Sequence, residues 1–279
     1  MFLRVEAGLM GFGGILDKAG LRKSLDRLRP ATDRNSGAKK PAGKSHPFTF
    51  RPGTQDRSVF VSVNRDNEYR LPDSFEPDDV IVDIGTHIGS FCYAALRRGA
   101  NHVFGFEAEK SNYEQASENL RSFGERVRLR NAAVWRSDET VEKLTFTPSH
   151  EEGHTAGGNV WSGSGEEVDA VAFDEVIREA TDGGTRRVKM LNMDCEGSEF
   201  PILFTSRSLH LIDDIRGEFH EFGGEHDPHS IPESAGVPGF ERFTINELSN
   251  VLRGAGFTVD SVRRGDSNMG LFFASRSDS

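Results

Sequence analysis

The pattern of apolar and polar residues changes near residue 47, after which short β-rich runs alternate with stretches of helical periodicity. Glycine, proline and capping residues separate these runs, so each element can be placed along the chain. The first half of this pattern predicts a leading β-hairpin over 47–70, a strand over 80–84, a helix over 89–98, a strand over 103–107 and a helix from about 112 to 123. A capping box of Ser111 with Glu114 is predicted to begin the last helix.

The second half continues the alternation but ends differently. Strands are predicted in RVRLRNAAV, EKLTFTP, VDAVA, RRVKMLNMD and DIRGEFHEF, and helices in FDEVIREA and INELSNVLRGAG, the latter capped by Thr244 with Glu247. The final runs, FTVDSVRR and LFFAS, are separated only by GDSNMG. Because parallel neighbours need a crossover of about a dozen residues, this pair is expected to be an antiparallel hairpin. The sequence therefore predicts an α/β fold with a doubly wound, mostly parallel sheet and an antiparallel C-terminal edge hairpin.

Residues 1–46 differ from the rest, with ten Lys or Arg and four Asp or Glu, a net charge of +6. They predict a basic N-terminal helix that ends at Pro30, followed by a flexible linker. A lid over a cleft, an arm in a homo-oligomer, contact with an anionic surface and a solvated helix packed on its own domain all fit this segment. The remaining residues, 47–279, are predicted to form one domain with its core over 78–276.

Composition limits the functions that this chain can have. Its 279 residues suffice for one sizeable core, and 35% hydrophobic with 28% charged residues suits a globular protein. A net charge of −10 disfavours nucleic acid as a partner. No apolar run is long enough to predict a membrane span, and Cys92 and Cys195 each lie in an apolar stretch, as reduced thiols do. We therefore expect a cytoplasmic protein that does not bind nucleic acid.

The segment VIVDIGTHIGSF, residues 80–91, is the first to suggest chemistry. In an open α/β sheet the turn after the first strand approaches the ligand most closely. Gly85 permits a sharp turn of bare backbone, Gly89 brings the helix close to the strand, and Asp83 is an acceptor that favours a cation over a pyrophosphate. Glu107 ends the next strand, where a carboxylate can accept both hydroxyls of a ribose. S-adenosylmethionine, which combines a ribose with a positive charge, fits both features.

With these residues in place, the sequence resembles the S-adenosylmethionine-dependent methyltransferases of the FkbM type over roughly residues 50–275. The matching segments are RPGTQD, EYRLP, VIVDIGTHIGSF, VFGFEAEKSNYEQASENL, NAAVW and LNMDCEGSEFPIL. The last of them resembles the D-x-E-G-x-E signature of the family's fourth strand. The resemblance implies a seven-stranded, Rossmann-like class I sheet and methyl transfer to a hydroxyl of a sugar, a polyketide or another small metabolite.

The resemblance also implies which residues bind the cofactor, S-adenosylmethionine. These residues are Asp83, Gly85, Thr86, His87, Ile88, Gly89, Glu107, Ala108, Asn131, Ala132 and Asp194. Thr86 and His87 stand where the family commonly has Ala and Asn, so contacts in that turn are expected to differ in detail. Glu196 and Glu199 match the two glutamates that follow the fourth-strand acid.

The catalytic candidates lie at two strand ends and are His220, Asp194, Glu196 and Glu218. Alternation along a strand sends Glu218 and His220 to the same side. His220 is predicted to be the general base because its ordinary pKa of about 6.5 suits neutral pH; a structural histidine bonded to a carboxylate is the alternative. No metal ligands are predicted, although Mg²⁺ bound through the acceptor's hydroxyls is an alternative.

Two polar loops are expected on the acceptor side, and Gly157, Gly158, Asn159 and Trp161 are the candidate pocket residues. The predicted function is O-methylation of a small hydroxylated acceptor. N-methylation of an amine or protein side chain is one alternative. A noncatalytic nucleoside-binding module, or an oxidoreductase with a divergent fold, is the alternative from another class.

Overall fold

A computed structural model describes residues 47–149 and 152–276. Its helices are α1 Asp56–Asn64, α2 Ser90–Arg97, α3 Lys110–Leu120, α4 Phe173–Ala180, α5 Glu199–Thr205 and α6 Ile245–Gly254. Its strands are β1 Val80–Ile84, β2 His102–Glu107, β3 Val127–Asn131, β4 Ala133–Trp135, β5 Lys143–Phe146, β6 Glu166–Ala172, β7 Val188–Met193, β8 Ile212–His220, β9 Phe257–Arg263 and β10 Met269–Arg276. The predicted basic helix and linker over 1–46 lie outside the described residues, and the division of the chain at residue 46 stays a prediction.

The described residues build a seven-stranded sheet with the strand order β3-β2-β1-β7-β8-β10-β9. All pairs from β3 to β8 are parallel, whereas β10 runs antiparallel to both of its neighbours. The short connection between β9 and β10 enforces the antiparallel hairpin, because no crossover fits into it. The predicted fold class, a mostly parallel seven-stranded Rossmann-like sheet with an antiparallel edge, is confirmed.

The strand order determines where in the sheet a ligand site is expected. The chain builds outward from β1 through β2 to β3 and then returns to the other side of β1 with β7. In such sheets a crevice opens beyond the carboxyl ends of the strands at this reversal. Asp83 of β1 is level with Asn192 of β7, so the residues that follow these two strands meet at the same edge of the sheet.

A second sheet of three short strands has the order β4-β6-β5 and packs its apolar side on the main core. The predicted strand RVRLRNAAV is therefore two strands in two sheets, β3 and β4. The predicted extra strand EKLTFTP is confirmed as β5. Among the helices of the described ranges, none is both long and apolar enough to cross a bilayer.

The predicted leading β-hairpin over 47–70 is wrong, because the run DRSVFVSVN forms helix α1. Its Val and Phe residues have a local preference for strands, but tertiary packing determines that the run is a helix. The Phe60 ring lies 4.5 Å from that of Phe48 and 5.7 Å from that of Tyr93 on α2, measured between centroids. Ser62 and Val63 are buried on the same helix. Tertiary contacts with α2 thus override a propensity that is weak on its own.

The two predicted capping boxes do not form as expected. Helix α3 begins at Lys110 after Glu109, and the Ser111 hydroxyl donates to the Glu109 carboxylate at 2.5 Å instead of capping the helix. Thr244 does precede α6 and its hydroxyl donates to the Glu247 carboxylate, but the carboxylate of Glu221, the residue after β8, accepts the first backbone N–H, at 2.9 Å. A carboxylate brought in by the sheet satisfies the helix end in place of a local side chain.

Candidate functional site

The glycine loop, residues 85–89, joins β1 to α2 and lies directly against the end of β7. Gly85 has φ of 82°, and a Cβ atom there would lie 1.9 Å from the carbonyl oxygen of Asp194. Gly89 has φ of 89°, and its Cβ would meet the side chain of Leu120 at 2.9 Å. Both glycines are therefore required by close approach as well as by backbone conformation.

Asp83 is fully buried between β7 and α2. Its carboxylate accepts a hydrogen bond from the side-chain amide of Asn192 at 2.9 Å and one from the thiol of Cys92 at 3.2 Å. Burial raises its pKa to about 6, although these bonds oppose the rise. Asp83 thus lies beneath the glycine loop instead of on its surface. Sequence reasoning missed Asn192, whose position two residues before Asp194 was the available signal.

Glu107 is the last residue of β2, and its carboxylate accepts hydrogen bonds from two backbone N–H groups. Its carboxylate accepts the N–H of His87 at 2.7 Å and the N–H of Glu109 at 2.9 Å. Burial raises its pKa to about 7, against the effect of these two bonds. Asn131 donates to the carbonyl oxygens of Glu107 and Ala108 at 2.8 and 3.0 Å. The structure therefore brings the glycine loop, the predicted ribose acid and the end of β3 together.

A cleft of about 590 Å³ opens beside Ala108 and Asn131, and its volume is within the usual range for small-molecule sites. Ala108 and Asn131 line one side of it, and Phe146 and Pro148 line the other. Sequence reasoning missed the latter two, because the segment that carries them was interpreted only as an extra strand.

Three of the predicted cofactor-binding residues have side chains that contact the protein interior. Ile88 and Ala132 are both fully buried. The Thr86 hydroxyl donates to the carbonyl oxygens of Asp83 and Phe106, 3.2 Å from each, and so supports the turn from within.

A second group of titratable residues surrounds His220 at the ends of β7 and β8. Its Nε2 lies 3.4 Å from a carboxylate oxygen of Glu196 and 3.9 Å from one of Glu218, and its Nδ1 lies 3.6 Å from Glu199. His220 is only 8% exposed, and neither ring nitrogen has a hydrogen-bond partner among the described residues. Glu199 is held in place by the N–H groups of Cys195 and Gly197, at 2.9 Å each.

The charges in this group move the pKa of His220 away from the ordinary value that its predicted role assumed. Burial alone would lower its pKa, but the carboxylates of Glu196, Glu199 and Glu218 raise that pKa to about 10. The imidazole is therefore protonated at neutral pH, and the ordinary pKa on which the prediction of a general base rested is wrong. Burial raises the pKa of Glu196 to about 7, with His220 opposing the rise.

Asp194 joins this group to the region before β1. The Tyr69 hydroxyl donates to its carboxylate at 2.9 Å. Burial, followed by the negative charge of Glu218, holds the pKa of Asp194 well above its usual range. Arg264, from the turn between β9 and β10, donates a hydrogen bond to Glu218. Sequence reasoning missed Tyr69 and Arg264; the EYRLP segment was a signal for the former, whereas the latter follows only from the hairpin's position.

The acceptor-side candidates are partly brought to the cluster. The indole N–H of Trp161 donates to the carbonyl oxygen of Glu196 at 2.8 Å, and its ring packs edge-on against Phe222. Asn159 pairs with Thr147, while Gly157 and Gly158 allow close approach of His154 and Phe146. Across 47–149 and 152–276, no cluster of three or more His, Cys, Asp or Glu is arranged to hold a metal ion.

The solved structures to which this chain is similar share little sequence identity with it. The FkbM methyltransferase of Methylobacillus flagellatus KT is 16% identical, with a TM-score of 0.45; the match covers 76% of this chain and 47% of that one, so the chain spans about half of its length. The precorrin-6y C5,15-methyltransferase of Geobacter metallireducens GS-15 is 13% identical, over 82% and 92% of the two chains, with a TM-score of 0.41. M. capricolum TrmK, solved with S-adenosylhomocysteine, is 9% identical, over 77% and 68%, with a TM-score of 0.40.

No curated protein matches the chain. The family described as "Methyltransferase FkbM domain" matches residues 83–262, which is more than half of the chain and spans both the glycine loop and the His220 cluster. The protein therefore belongs to the FkbM methyltransferase domain family.

Proposed function

We propose that this protein is an S-adenosylmethionine-dependent methyltransferase that methylates a hydroxyl group of a small molecule. Family membership supports methyl transfer. The observation that supports a hydroxyl acceptor is Glu196, a partly buried carboxyl group with a pKa of about 7 at the carboxyl end of β7. A general base with a pKa near the working pH is the group that an O–H acceptor needs.

The residues at the glycine loop fit the methyl donor. The Glu107 carboxylate uses one lone pair of each oxygen for backbone N–H groups and retains others for the hydroxyls of a ribose. Around the loop, three buried atoms have no hydrogen-bond partner among the described residues: His87 Nδ1, Ser90 Oγ and Asn192 Oδ1. A polar ligand is a reason for such atoms to be left unpaired. When bound, the donor supplies a methyl carbon that its sulfonium activates.

The His220 cluster supplies the proton chemistry. In this proposal the Glu196 carboxylate accepts the acceptor's hydroxyl proton as the new bond forms. The adjacent imidazolium of His220 favours the ionised form of Glu196, since a positive charge 3.4 Å away lowers its pKa. Asp194 and Tyr69, which donates a hydrogen bond to it, are proposed to orient the acceptor.

The alternatives are less well supported by this geometry. A neutral amine attacks through its own lone pair and loses its proton only afterwards, so N-methylation makes less use of a base at Glu196. A module that only binds nucleosides has no use for the paired Glu196 and His220. An NAD-dependent oxidoreductase would place a pyrophosphate at the glycine loop, above the buried carboxyl group of Asp83.

Calorimetric titration tests the proposal at the level of the donor. We expect S-adenosylmethionine and S-adenosylhomocysteine to bind and NAD to give no heat. Mass spectrometry of reactions with panels of hydroxylated metabolites and of amines then tests the acceptor, through the gain of one methylene. Binding of NAD alone would contradict methyl transfer, and products only from the amine panel would replace O-methylation by N-methylation.

A further inference from the structure

His87, a residue of the glycine loop, contacts two segments that lie outside the seven-stranded sheet. His87 has a left-handed backbone, with φ of 51°, which residues other than glycine rarely adopt. Its Nε2 lies 2.9 Å from the hydroxyl oxygen of Thr155 and 3.3 Å from a carboxylate oxygen of Asp56. Asp56 begins α1, and Thr155 lies between β5 and β6, so three distant parts of the chain meet at this ring.

The hydrogen bonds decide which ring nitrogen carries a proton. A carboxylate only accepts, so the Thr155 hydroxyl donates its single proton to Asp56, 3.1 Å away. The same hydroxyl oxygen then accepts from His87, which requires a proton on Nε2. The guanidinium of Arg51, 3.5 Å from Nε2, also only donates and cannot take this proton. The hydrogen bonds therefore run in one direction: His87 donates to Thr155, and Thr155 donates to Asp56.

Asp56, at the end of this series, is anchored independently of His87. Its buried carboxylate accepts three hydrogen bonds from Arg51, from the backbone N–H at 2.9 Å, Nε at 3.0 Å and a terminal guanidinium nitrogen at 2.9 Å. Burial alone would raise the pKa of Asp56, but its bonds to His87 and Arg51 hold that pKa well below its usual range. Arg51 also donates to Asn112 of α3 at 2.7 Å. The acceptor that orients His87 is thus ionised and fixed between two helices.

The same His87 supplies the backbone N–H that the Glu107 carboxylate accepts at 2.7 Å. Because the ring and this N–H belong to one residue of unusual φ, the contacts of the ring with Thr155 and Asp56 help to hold the backbone conformation from which the N–H reaches Glu107. We propose that Thr155 and Asp56 are positioning residues that keep His87 protonated on Nε2 and so hold the glycine loop in its donor-binding shape. This inference rests on the proposed function, since it assigns a purpose within that site.

The protonation of the ring can be measured without any ligand. Long-range ¹H–¹⁵N spectra distinguish the two nitrogens, and we expect His87 of the unmodified protein to carry its proton on Nε2. Thr155→Val removes the hydroxyl and should yield a mixture of ring forms, whereas Thr155→Ser retains it and should match the unmodified protein. A His87 without a proton on Nε2, or a Thr155→Val spectrum equal to the unmodified one, would overturn the proposal.

The consequence for the loop is measured by calorimetry with S-adenosylhomocysteine. Loss of one positioning hydrogen bond is expected to weaken binding about fivefold in Thr155→Val, while Thr155→Ser binds normally. Thr185→Val, the same change at an exposed turn, is the matched control and should have no effect. In a His87→Asn background, where the ring is absent, Thr155→Val should cause no further loss.

Two results would refute the positioning role: unchanged affinity in Thr155→Val, or an equal loss of affinity in the His87→Asn background. Thermal melting of each variant separates this effect from unfolding. If the unmodified protein bound no S-adenosylhomocysteine, the proposed function would fail, whereas normal binding with an unaffected Thr155→Val variant would remove only this inference.

Discussion

Glu196 is the residue on which the proposed chemistry depends most. It follows β7 with a left-handed φ of 54°, and its carbonyl oxygen is held by the indole of Trp161. We expect Glu196→Gln to lower the turnover number by about 100-fold or more, because the amide cannot accept the hydroxyl proton. The affinity for S-adenosylhomocysteine should stay within about twofold of normal, because Glu196 is proposed to act on the acceptor and not to bind the donor.

Methyl-transfer kinetics with the acceptor found by mass spectrometry, together with calorimetry, check this prediction. Glu175→Gln, the same change on the exposed side of α4, is the matched control. A Glu196→Gln variant that turns over normally would remove the assignment of the base.

The positive charge of His220 leads to a separate prediction about the pH dependence of turnover. Turnover should rise through a pH of about 7 as Glu196 ionises, so the profile has an acidic limb. His220→Gln removes the positive charge that lowers the pKa of Glu196. The acidic limb of the variant should therefore move to higher pH. An acidic limb that does not move would show that another group controls the rate.

At the scale of elements, the approach of β1 to β7 depends on Gly85. Alanine there would combine an unfavourable φ of 82° with a Cβ only 1.9 Å from the Asp194 carbonyl oxygen. We expect Gly85→Ala to lower the free energy of unfolding by about 2–4 kcal/mol and to abolish binding of S-adenosylhomocysteine, because the backbone at the site has to move.

Gly183 is the matched control for backbone strain. It has φ of 71°, and no described atom lies within 4 Å of a Cβ placed there. Gly183→Ala should cost only about 1 kcal/mol and leave donor binding intact. Urea unfolding and calorimetry measure both quantities, and equal losses in the two variants would contradict a special role for close approach at Gly85.

On the scale of the whole molecule, the site makes stability depend on pH. The folded protein raises the pKa of Asp83 to about 6, of Glu107 and Glu196 to about 7 and of His220 to about 10. Each group binds its proton more tightly when folded, so its contribution to stability is present at acid pH. That contribution is lost as the pH rises through 6–7 for the carboxyl groups and toward 10 for the histidine.

We therefore expect the melting temperature to fall by about 5 °C between pH 5.5 and pH 8.5. Differential scanning calorimetry measures this, and Glu107→Gln, which cannot titrate, should show a shallower fall. A melting temperature that rises over the same interval would contradict the raised pKa values.

The sequence alone determined most of the architecture and the edge of the sheet at which the site lies. Apolar runs such as 80–84 locate strands because burial on both faces requires an unbroken apolar stretch. The short connection between the last two strands determines their antiparallel pairing. Acids and glycines directly after strands mark the crevice, since the carboxyl ends of parallel strands share one edge. Local pattern misled where packing outweighs propensity, as in α1, and where a distant carboxylate takes over a helix end, as at α6.

Only the tertiary structure decided what the site residues do. The pKa of His220 depends on carboxylates within 3.4–3.9 Å, two of which come from the segment after another strand. The contact of Thr155 with Asp56 joins positions 99 residues apart. Periodicity reports how a segment is buried, whereas protonation depends on distances between charges that only folding brings together.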